Sequence, residues 1–192
     1  MTEPARKQYY TVAEYLAREE VADFRSEYYQ GEIFAMAGES LNHNRVAIDL
    51  CAKLNQAIRQ RGCEAFAENV RVRAEAVDLF AYPDVVVVCG APQLYQDRED
   101  TITNPLLIIE VLSKSTKNYD RGDKFNFYRM LPTVKEYVLI EQYRIHVEQF
   151  SPSKAGIRVT AEYRAAEDVL KFSSIDFQIT LKELYARVKF KY

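Results

Sequence analysis

Two carboxylates interrupt apolar stretches of this 192-residue sequence at places where a charge is hard to accommodate. Asp84 stands before four valines in the run Tyr82–Cys89, and Glu110 stands inside the run Leu106–Leu112. Both runs are short and rich in β-branched residues, which predicts buried strands. If the two strands pair, they lie about 4.8 Å apart, so the two acids can converge. A hard divalent cation would turn their repulsion into a binding site, because such cations prefer carboxylate and carbonyl oxygens.

The segment after Glu110 supplies groups that could act beside such a cation. Asp120, Lys124 and Tyr128 recur every four residues, so they share one face of a predicted helix. The backbone carbonyl of Val111 is a candidate third metal ligand. A lysine aimed at the acids could orient or deprotonate a water molecule, or offset charge that develops on a phosphate. With Mg²⁺ or Mn²⁺, this set of residues predicts phosphodiester hydrolysis.

Each of these residues also has an ordinary structural interpretation. An aspartate that follows a proline at the start of a strand often binds nearby backbone amides, as Asp84 could. Glu110 could form a structural ion pair, and Asp120 with Lys124 could be a common helical pair. The candidate basic partners of Glu110 are Arg71, Arg73 and Lys124.

The two histidines give weaker signals. His43 stands near the start of a predicted helix, where a polar residue is common, and is interpreted as such rather than as a metal ligand. His146 lies in an alternating strand pattern, so we expect it at the surface.

The elements that must position the acids form an α/β arrangement with a mixed central sheet. Capping-box patterns at Thr11–Glu14 and Thr180–Glu183 predict a first and a last helix, and Gln30-Gly31 predicts a hairpin turn. Between them, the spacing of apolar residues and the positions of glycine and proline predict a helix through Val46 and Ile58 that ends at Gly62, and a strand over Glu64–Arg73 whose polar face, with Arg71 and Arg73, meets water. A loop is predicted over Gly90–Asn104 and a helix over Tyr119–Leu131. The remaining predicted elements are a strand pair over Val134–Glu141 and Arg144–Ser151, a strand over Ile157–Arg164, and a last helix that extends to Val188.

Several of these segments together resemble a known nuclease family. The segments "YPDVVVV", "LLIIEVLSKST" and "YDRGDKFNFYRMLPTVKEYVLIE", with the earlier "SEYYQGEIFAMAG" and "NHN", resemble the PD-(D/E)XK nuclease superfamily. More narrowly, they are similar to its Uma-two family, whose members are described as restriction endonucleases. The resemblance runs from about Thr11 to Ile140.

The resemblance implies a restriction-endonuclease-like core in which Asp84 and Glu110 bind the metal ion. The superfamily places its lysine two residues after the glutamate, but this chain has Leu112 there, so the resemblance implies that Lys124 replaces it. Glu27 and His43 match family positions near the site, and we assign them, with Asp120, supporting roles.

Composition and length indicate which broad class of protein this chain belongs to. The hydrophobic content of 48% is enough for a full core, and the length predicts one domain over residues 1–192. No apolar run approaches the roughly 20 residues of a membrane-spanning helix, and the N-terminus lacks the pattern of a signal peptide. We therefore expect a cytoplasmic protein with no membrane partner. Its three cysteines, Cys51, Cys63 and Cys89, are expected to be reduced.

A basic stretch follows Glu110 directly. Lys114–Lys135 contains six basic and two acidic residues, although the net charge of the chain is −2. A run of charge is usually a solvated face, but Lys114, Lys117 and Arg121 are also candidate contacts to nucleic-acid phosphates.

The leading hypothesis is therefore a Mg²⁺- or Mn²⁺-dependent endonuclease with DNA as substrate. The competing hypothesis is a non-catalytic binding or assembly protein that keeps the nuclease fold. The sequence leaves open whether the chain forms a homodimer.

Overall fold

The computed structural model describes residues 8–36, 38–153 and 156–190 of the chain. Within them, most strands belong to two six-stranded sheets, each containing parallel and antiparallel pairs. The first sheet has the strand order β2-β1-β5-β4-β8-β7, and the second has the order β12-β11-β10-β9-β6-β3. This mixed α/β architecture, with helices against the sheets, confirms the predicted fold class.

The strands of the first sheet come mainly from the N-terminal half. They are β1 (Ser26–Tyr29), β2 (Glu32–Ala35), β4 (Arg71–Ala74), β5 (Leu79–Ala81), β7 (Leu94–Tyr95) and β8 (Arg98–Ile102). The β1–β2 hairpin turns at Gln30 and Gly31, both with positive φ, as the sequence predicts.

The second sheet contains the two predicted acid-bearing strands side by side, and neither is an edge strand. Its strands are β3 (Cys63–Ala67), β6 (Val85–Cys89), β9 (Leu107–Leu112), β10 (Glu136–Glu141), β11 (Val147–Ser153) and β12 (Gly156–Tyr163). A separate pair, β13 (Val169–Phe172) and β14 (Phe177–Thr180), is antiparallel.

The helices are α1 (Val12–Glu20), α2 (Leu41–Ile58), α3 (Lys117–Tyr119), α4 (Phe125–Tyr128) and α5 (Leu181–Leu184). Both predicted capping boxes are present, at the starts of α1 and α5. The closing helix α5 is shorter than predicted, since it ends before Tyr185.

A π-helical turn, Asp120–Lys124, joins α3 to α4. These three stretches replace the single regular helix that the sequence predicts over Tyr119–Leu131. Short π-helical turns inside helices are frequent at functional sites, since they change the direction of side chains locally.

The second sheet is buried on both faces because each face carries a different layer. Val85, Ile109 and Ile140 pack on one side against α2 and the C-terminal elements. Val86 and Ile108 pack on the other side against the first sheet and α4. This two-sided burial explains the continuous apolar runs in the sequence.

Two sequence predictions about the elements between α2 and β9 are wrong. The segment Glu64–Arg73 is not one strand with a wet face but two strands in different sheets, and the arginines that were to face water, Arg71 and Arg73, are buried. Arg71 pairs with Asp100, and Arg73 pairs with Asp78 at 2.8 Å. The predicted loop Gly90–Asn104 contains β7 and β8.

Two further expectations need correction. Cys63 and Cys89 lie directly opposite each other on β3 and β6 and are disulfide-bonded, so the expectation of reduced thiols is wrong for this pair. His146 is buried, not at the surface. In the described part of the chain, no helix is long and apolar enough to cross a membrane.

Candidate active site

One cavity of about 620 Å³ gathers most of the polar residues that the sequence singles out. Residues from β1, α2, β9 and the π-helical turn line it, together with the residue that precedes β6. Its ionisable lining includes Glu27, Glu39, His43, Asp84, Lys114, Glu110, Asp120, Asp123 and Lys124.

The two acids predicted to converge lie at one end of two paired strands, Glu110 within β9 and Asp84 directly before β6. β6 and β9 are antiparallel with Val85 opposite Ile109, so Asp84 and Glu110 flank this pair at the same end. Both acids line the cavity and are almost fully buried, with exposed fractions of 6% and 3%. The two acids therefore share one cavity, and their role as metal ligands stays a prediction.

Lys124 reaches the acids from the π-helical turn. Its Nζ lies 2.9 Å from Glu27 Oε1, 3.1 Å from Glu110 Oε1 and 3.7 Å from Asp120 Oδ1. Leu112, which stands where the superfamily has its lysine, is buried in the apolar core. Of the three basic partners that the sequence allows for Glu110, the structure places Lys124 beside it.

The charge state of this cluster follows from burial and from the excess of acids. Burial raises the pKa of Glu110 well above its usual range; Lys124 opposes this rise, and the carboxylates of Asp84, Asp120 and Glu27 add to it. The pKa of Asp120 is raised for the same reason, burial, again against the effect of Lys124.

Lys124 stays charged in this environment. Burial alone would lower the pKa of Lys124, but the carboxylates of Glu110 and Glu27 outweigh it, so the pKa is raised well above the usual lysine value. In the metal-free protein the side chain is therefore an ammonium group that donates hydrogen bonds. Of the three roles that the sequence left open for Lys124, orientation of water and compensation of charge on a phosphate fit this charge state.

A second charged group lies on the other side of Asp84. His43 Nε2 lies 3.1 Å from Asp84 Oδ2, and His43 Nδ1 lies 2.6 Å from Glu39 Oε2. Burial works against the charged imidazole, but hydrogen bonds to Asp84 and Glu39 raise the pKa of His43 to about 10. His43 is thus an imidazolium ion at neutral pH.

The position of His43 is set by the start of α2. Ser40 caps this helix by accepting a hydrogen bond from the backbone N–H of His43. Glu39 directly precedes the N-cap residue and stands four residues before His43, so the two side chains are in contact at the N-terminus of α2. The sequence reasoning missed Glu39, whose only signal is this spacing.

The cavity fits a divalent cation on three grounds. Four buried carboxylates (Glu27, Asp84, Glu110 and Asp120) face two buried cationic side chains, His43 and Lys124. When all six groups are ionised, two negative charges remain unbalanced. Within the described residues, Asp120 Oδ1 is a buried atom with no hydrogen-bond partner. Oxygen ligands of this kind suit Mg²⁺ and Mn²⁺.

Two overlapping groups of ligands are available, and both contain Asp84. One is Asp84 with Glu110, as predicted from the sequence. The other is Glu39, His43 and Asp84, whose ligand atoms all lie within 4.8 Å of one another. The second group requires His43 to lose a proton, because an imidazolium ion has no free lone pair.

The predicted phosphate contacts are placed differently from one another. Lys114 is exposed and lines the cavity, and Lys117 is exposed outside its lining. Arg121 forms ion pairs with Glu141 at 3.0 Å and Glu148 at 2.6 Å.

Comparison with known proteins identifies the family of this chain. Residues 12–182 match Uma2, a family described as "Putative restriction endonuclease". This chain belongs to the Uma2 family.

Uma2 relatives and one solved structure extend the comparison. Two proteins of Synechocystis sp. (strain ATCC 27184 / PCC 6803 / Kazusa) are similar: "Uncharacterized protein sll1609" is 42% identical over 77% of this chain and 82% of its own length, and "Uncharacterized protein slr1290" is 31% identical over 92% of both. A crystal structure described as "a putative nuclease belonging to DUF820 from Anabaena variabilis ATCC 29413" superposes with a TM-score of 0.75 at 18% identity, over 92% of this chain and 98% of that one. At this identity the likeness shows the fold, which is nuclease-like.

Proposed function

We propose that this Uma2 protein is a divalent-metal-dependent endonuclease that hydrolyses phosphodiester bonds of DNA. The observation that carries the proposal is the convergence of Asp84, Glu110 and Lys124 in one cavity that also contains an excess of buried acids. Membership of a family described as restriction endonucleases supports DNA as the substrate.

Asp84 and Glu110 would hold the cation, with the backbone carbonyl of Val111 as a further ligand. When bound, Mg²⁺ or Mn²⁺ would polarise the phosphoryl group and offset the negative charge that develops on it. Asp84 is held in place by the backbone N–H of Val111, which donates to Asp84 Oδ2 at 2.6 Å. This contact orients the carboxylate relative to β9, and with it relative to Glu110.

Lys124 assists the attacking water as a hydrogen-bond donor. Its ammonium group can orient the oxygen of a water molecule towards phosphorus, and its positive charge favours the more negative transition state. Glu27 and Asp120 hold the ammonium group of Lys124 in the cavity through the contacts described above. They are therefore positioning residues in this proposal.

His43 supports Asp84 in the same way. Because both ring nitrogens face carboxylates, the imidazolium ring fixes the direction of Asp84 and balances part of the cluster's negative charge.

We further propose Lys114, Lys117 and Arg121 as contacts to the nucleic-acid backbone. Lysines that meet phosphates release counterions, so each contact steepens the fall of affinity with salt. Lys114→Gln and Lys117→Gln should each reduce the slope of log affinity against log salt by about one unit. Lys182→Gln, an exposed lysine on α5, is the matched control; equal slopes for all variants would remove the lysines from the interface.

Arg121 requires a conservative substitution because its guanidinium already forms ion pairs with two acids. Replacing it by glutamate would also leave Glu141 and Glu148 unpaired, so a change in affinity would be ambiguous. Arg121→Lys keeps the charge and is the informative variant, with protein stability measured alongside affinity.

The proposal is tested by cleavage of plasmid and linear DNA with protein purified from a nuclease-deficient host. Cleavage should require Mg²⁺ or Mn²⁺, stop in EDTA, and fall at least a hundredfold, roughly the loss expected when a metal ligand or charge-stabilising group is removed, in Asp84→Asn, Glu110→Gln and Lys124→Met.

The matched control for the acid variants is Glu136→Gln. Glu136 is also a buried acid, but its carboxylate binds Ser173 and Ser174 away from the cavity. Wild type that binds DNA and metal without cleaving would favour the competing hypothesis of a non-catalytic binding protein. Cleavage that survives in the Asp84 and Glu110 variants would reject these acids as the metal ligands of the activity.

A further inference from the structure

The acids of the proposed active site lie deep in the cavity rather than on an open face. Asp84, Glu110, Asp120 and Lys124 are each at most 6% exposed. A cavity of about 620 Å³ has the size of a pocket that encloses a small ligand, for which about 300–1,000 Å³ is typical. Double-stranded DNA is a stiff rod with a persistence length of about 150 base pairs, so its backbone enters such a pocket only after local distortion.

The rim of the cavity carries exposed aromatic rings. Phe34 and Tyr143 line the cavity, and each is 46% exposed. Phe34 is paired with Glu27 across the β1–β2 hairpin, and directly opposed residues in such a pair project to the same face. The Phe34 ring is therefore placed beside the acid that holds Lys124.

The ring of Tyr143 lies close to the ammonium group of Lys114. It stands in the turn between β10 and β11, and Lys114 Nζ lies 5.7 Å from the centre of its ring. One side of the cavity thus offers a surface for a base and a positive charge for a phosphate at the same place.

Further aromatic rings line the same cavity. Tyr29 and Phe127 pack with ring centres 4.4 Å apart and a tilt of 33°, and both line the cavity with Tyr119. Stacking of bases on such rings tolerates any sequence, because every base has a π-face.

Charge argues in the same direction. Among the described residues that line the cavity, Lys114 is the one lysine or arginine outside the acid cluster. Proteins that bind duplex DNA through its backbone commonly neutralise about 6–10 phosphates. The lining of this cavity therefore favours contacts to bases over a broad phosphate interface.

We infer that the substrate strand enters this cavity unpaired, with bases stacked on Phe34 and Tyr143, so that the preferred substrate is single-stranded DNA. The inference rests on the proposed endonuclease function and specifies its substrate class. It makes Phe34 and Tyr143 binding residues for bases, and Lys114 the contact for the adjoining phosphate.

The binding test uses an oligonucleotide that carries the fluorescent base 2-aminopurine, alone and annealed to its complement. Titrations are made with wild type in Ca²⁺, which takes the same oxygen ligands as Mg²⁺, and gels verify that the strand stays intact. Wild type should bind the single strand at least about tenfold more tightly than the duplex, a ratio comparable to the loss of one base stack, and should quench its fluorescence.

Variants assign the stacking to the two rim residues. Phe34→Ala and Tyr143→Ala should each weaken single-strand binding by about tenfold and reduce the quenching, while Tyr143→Phe should retain both. Phe24→Ala is the matched control, because Phe24 is 62% exposed but does not line the cavity.

The outcomes separate the inference from the function on which it rests. Duplex that binds as tightly as single strand, or rim variants that behave like Phe24→Ala, would overturn the inference. Cleavage of duplex but not of single strand in Mg²⁺ would also overturn it and leave the endonuclease function standing. Stacked single-strand binding by wild type that cleaves neither substrate would support the inference about binding and reject the endonuclease function.

Discussion

Asp84 and Glu110 lie at the same end of the paired strands β6 and β9, but without metal they differ in their partners. Asp84 accepts a hydrogen bond from the Val111 N–H and contacts the His43 imidazolium. Glu110 contacts Lys124 and accepts a hydrogen bond from the Tyr128 hydroxyl at 3.2 Å. Since the pKa of Glu110 is raised, its charge is poorly tolerated in the metal-free protein.

This difference predicts opposite effects on stability in EDTA. Asp84→Asn should lower the free energy of unfolding by about 1–3 kcal/mol, because it disturbs a buried backbone contact and an ion pair. Glu110→Gln should change it little, since the amide still accepts hydrogen bonds and Lys124 keeps Glu27 as a partner. Urea denaturation measures both.

Glu136→Gln again serves as the reference for a structural buried acid. A loss for Glu110→Gln as large as that for Glu136→Gln would mean that Glu110 belongs to a structural ion pair, the ordinary interpretation that the sequence left open.

The raised pKa of His43 predicts how stability depends on pH. A base whose folded pKa is about 10 contributes stability that is complete below its ordinary value of 6.5 and is lost as pH rises towards 10. The metal-free protein should therefore become less stable between pH 7 and 9, with a slope of at most about 1.4 kcal/mol per pH unit for this one proton.

The variant His43→Gln isolates this contribution. It should flatten the profile of unfolding free energy between pH 7 and 9. Raised acids also lower stability as pH rises, from their ordinary values of 4.5 for Glu110 and 3.8 for Asp120 upwards. Wild type and His43→Gln share these acids, so the difference between the two profiles reports His43. Profiles that stay parallel for wild type and His43→Gln in EDTA would contradict the assignment.

At the scale of elements, the π-helical turn is the feature that brings Lys124 to the acids. It contains Gly122, where an added Cβ would meet no atom within 4 Å. Alanine loses less backbone entropy than glycine in a helix, so Gly122→Ala should stabilise the protein by about 0.5–1 kcal/mol in thermal or urea unfolding.

Gly31 gives the matched contrast in the β1–β2 hairpin. It has φ of +89°, and an added Cβ would lie 2.9 Å from Tyr9 Cδ1, so Gly31→Ala should destabilise. Destabilisation by Gly122→Ala would instead mean that the π-helical turn itself depends on glycine.

At the scale of the whole molecule, metal binding should be visible as stability. A cation that binds only the folded chain raises the free energy of unfolding by about 2.7 kcal/mol at a hundredfold excess over its dissociation constant. Wild type should gain stability from Mg²⁺ or Mn²⁺, and Asp84→Asn and Glu110→Gln should gain much less. Thermal unfolding in EDTA and in excess metal measures the gain. If the metal does not change the stability of wild type, the proposed metal site is rejected.

The choice between the two ligand groups can be made in the same experiment. His43→Gln and Glu39→Gln should retain the gain from Mg²⁺ if Asp84 and Glu110 hold the ion. They should lose it if the ion lies between Glu39, His43 and Asp84. The single domain over residues 1–192 and the cytoplasmic location remain predictions, and the question of a homodimer stays open.

Local patterns in the sequence determined the elements whose causes are local. Capping boxes need residues three positions apart, and a Gln-Gly turn needs two residues, so α1, the start of α5 and the β1–β2 hairpin follow from neighbours in the chain. The resemblance to the nuclease family and the two interrupted apolar runs also determined which acids and which lysine share a cavity.

Tertiary structure decided what depends on residues far apart. An alternating strand looks the same whether its polar face meets water or a second layer, so only packing shows that Arg71 and Arg73 are buried. Glu39 and His43 join the site only because α2 packs against β9, which brings them to an aspartate some forty residues away. The protonation states of Glu110 and Lys124 could not be predicted from the sequence either. They depend on burial and on how many carboxylates lie around Lys124, and only the folded structure shows both.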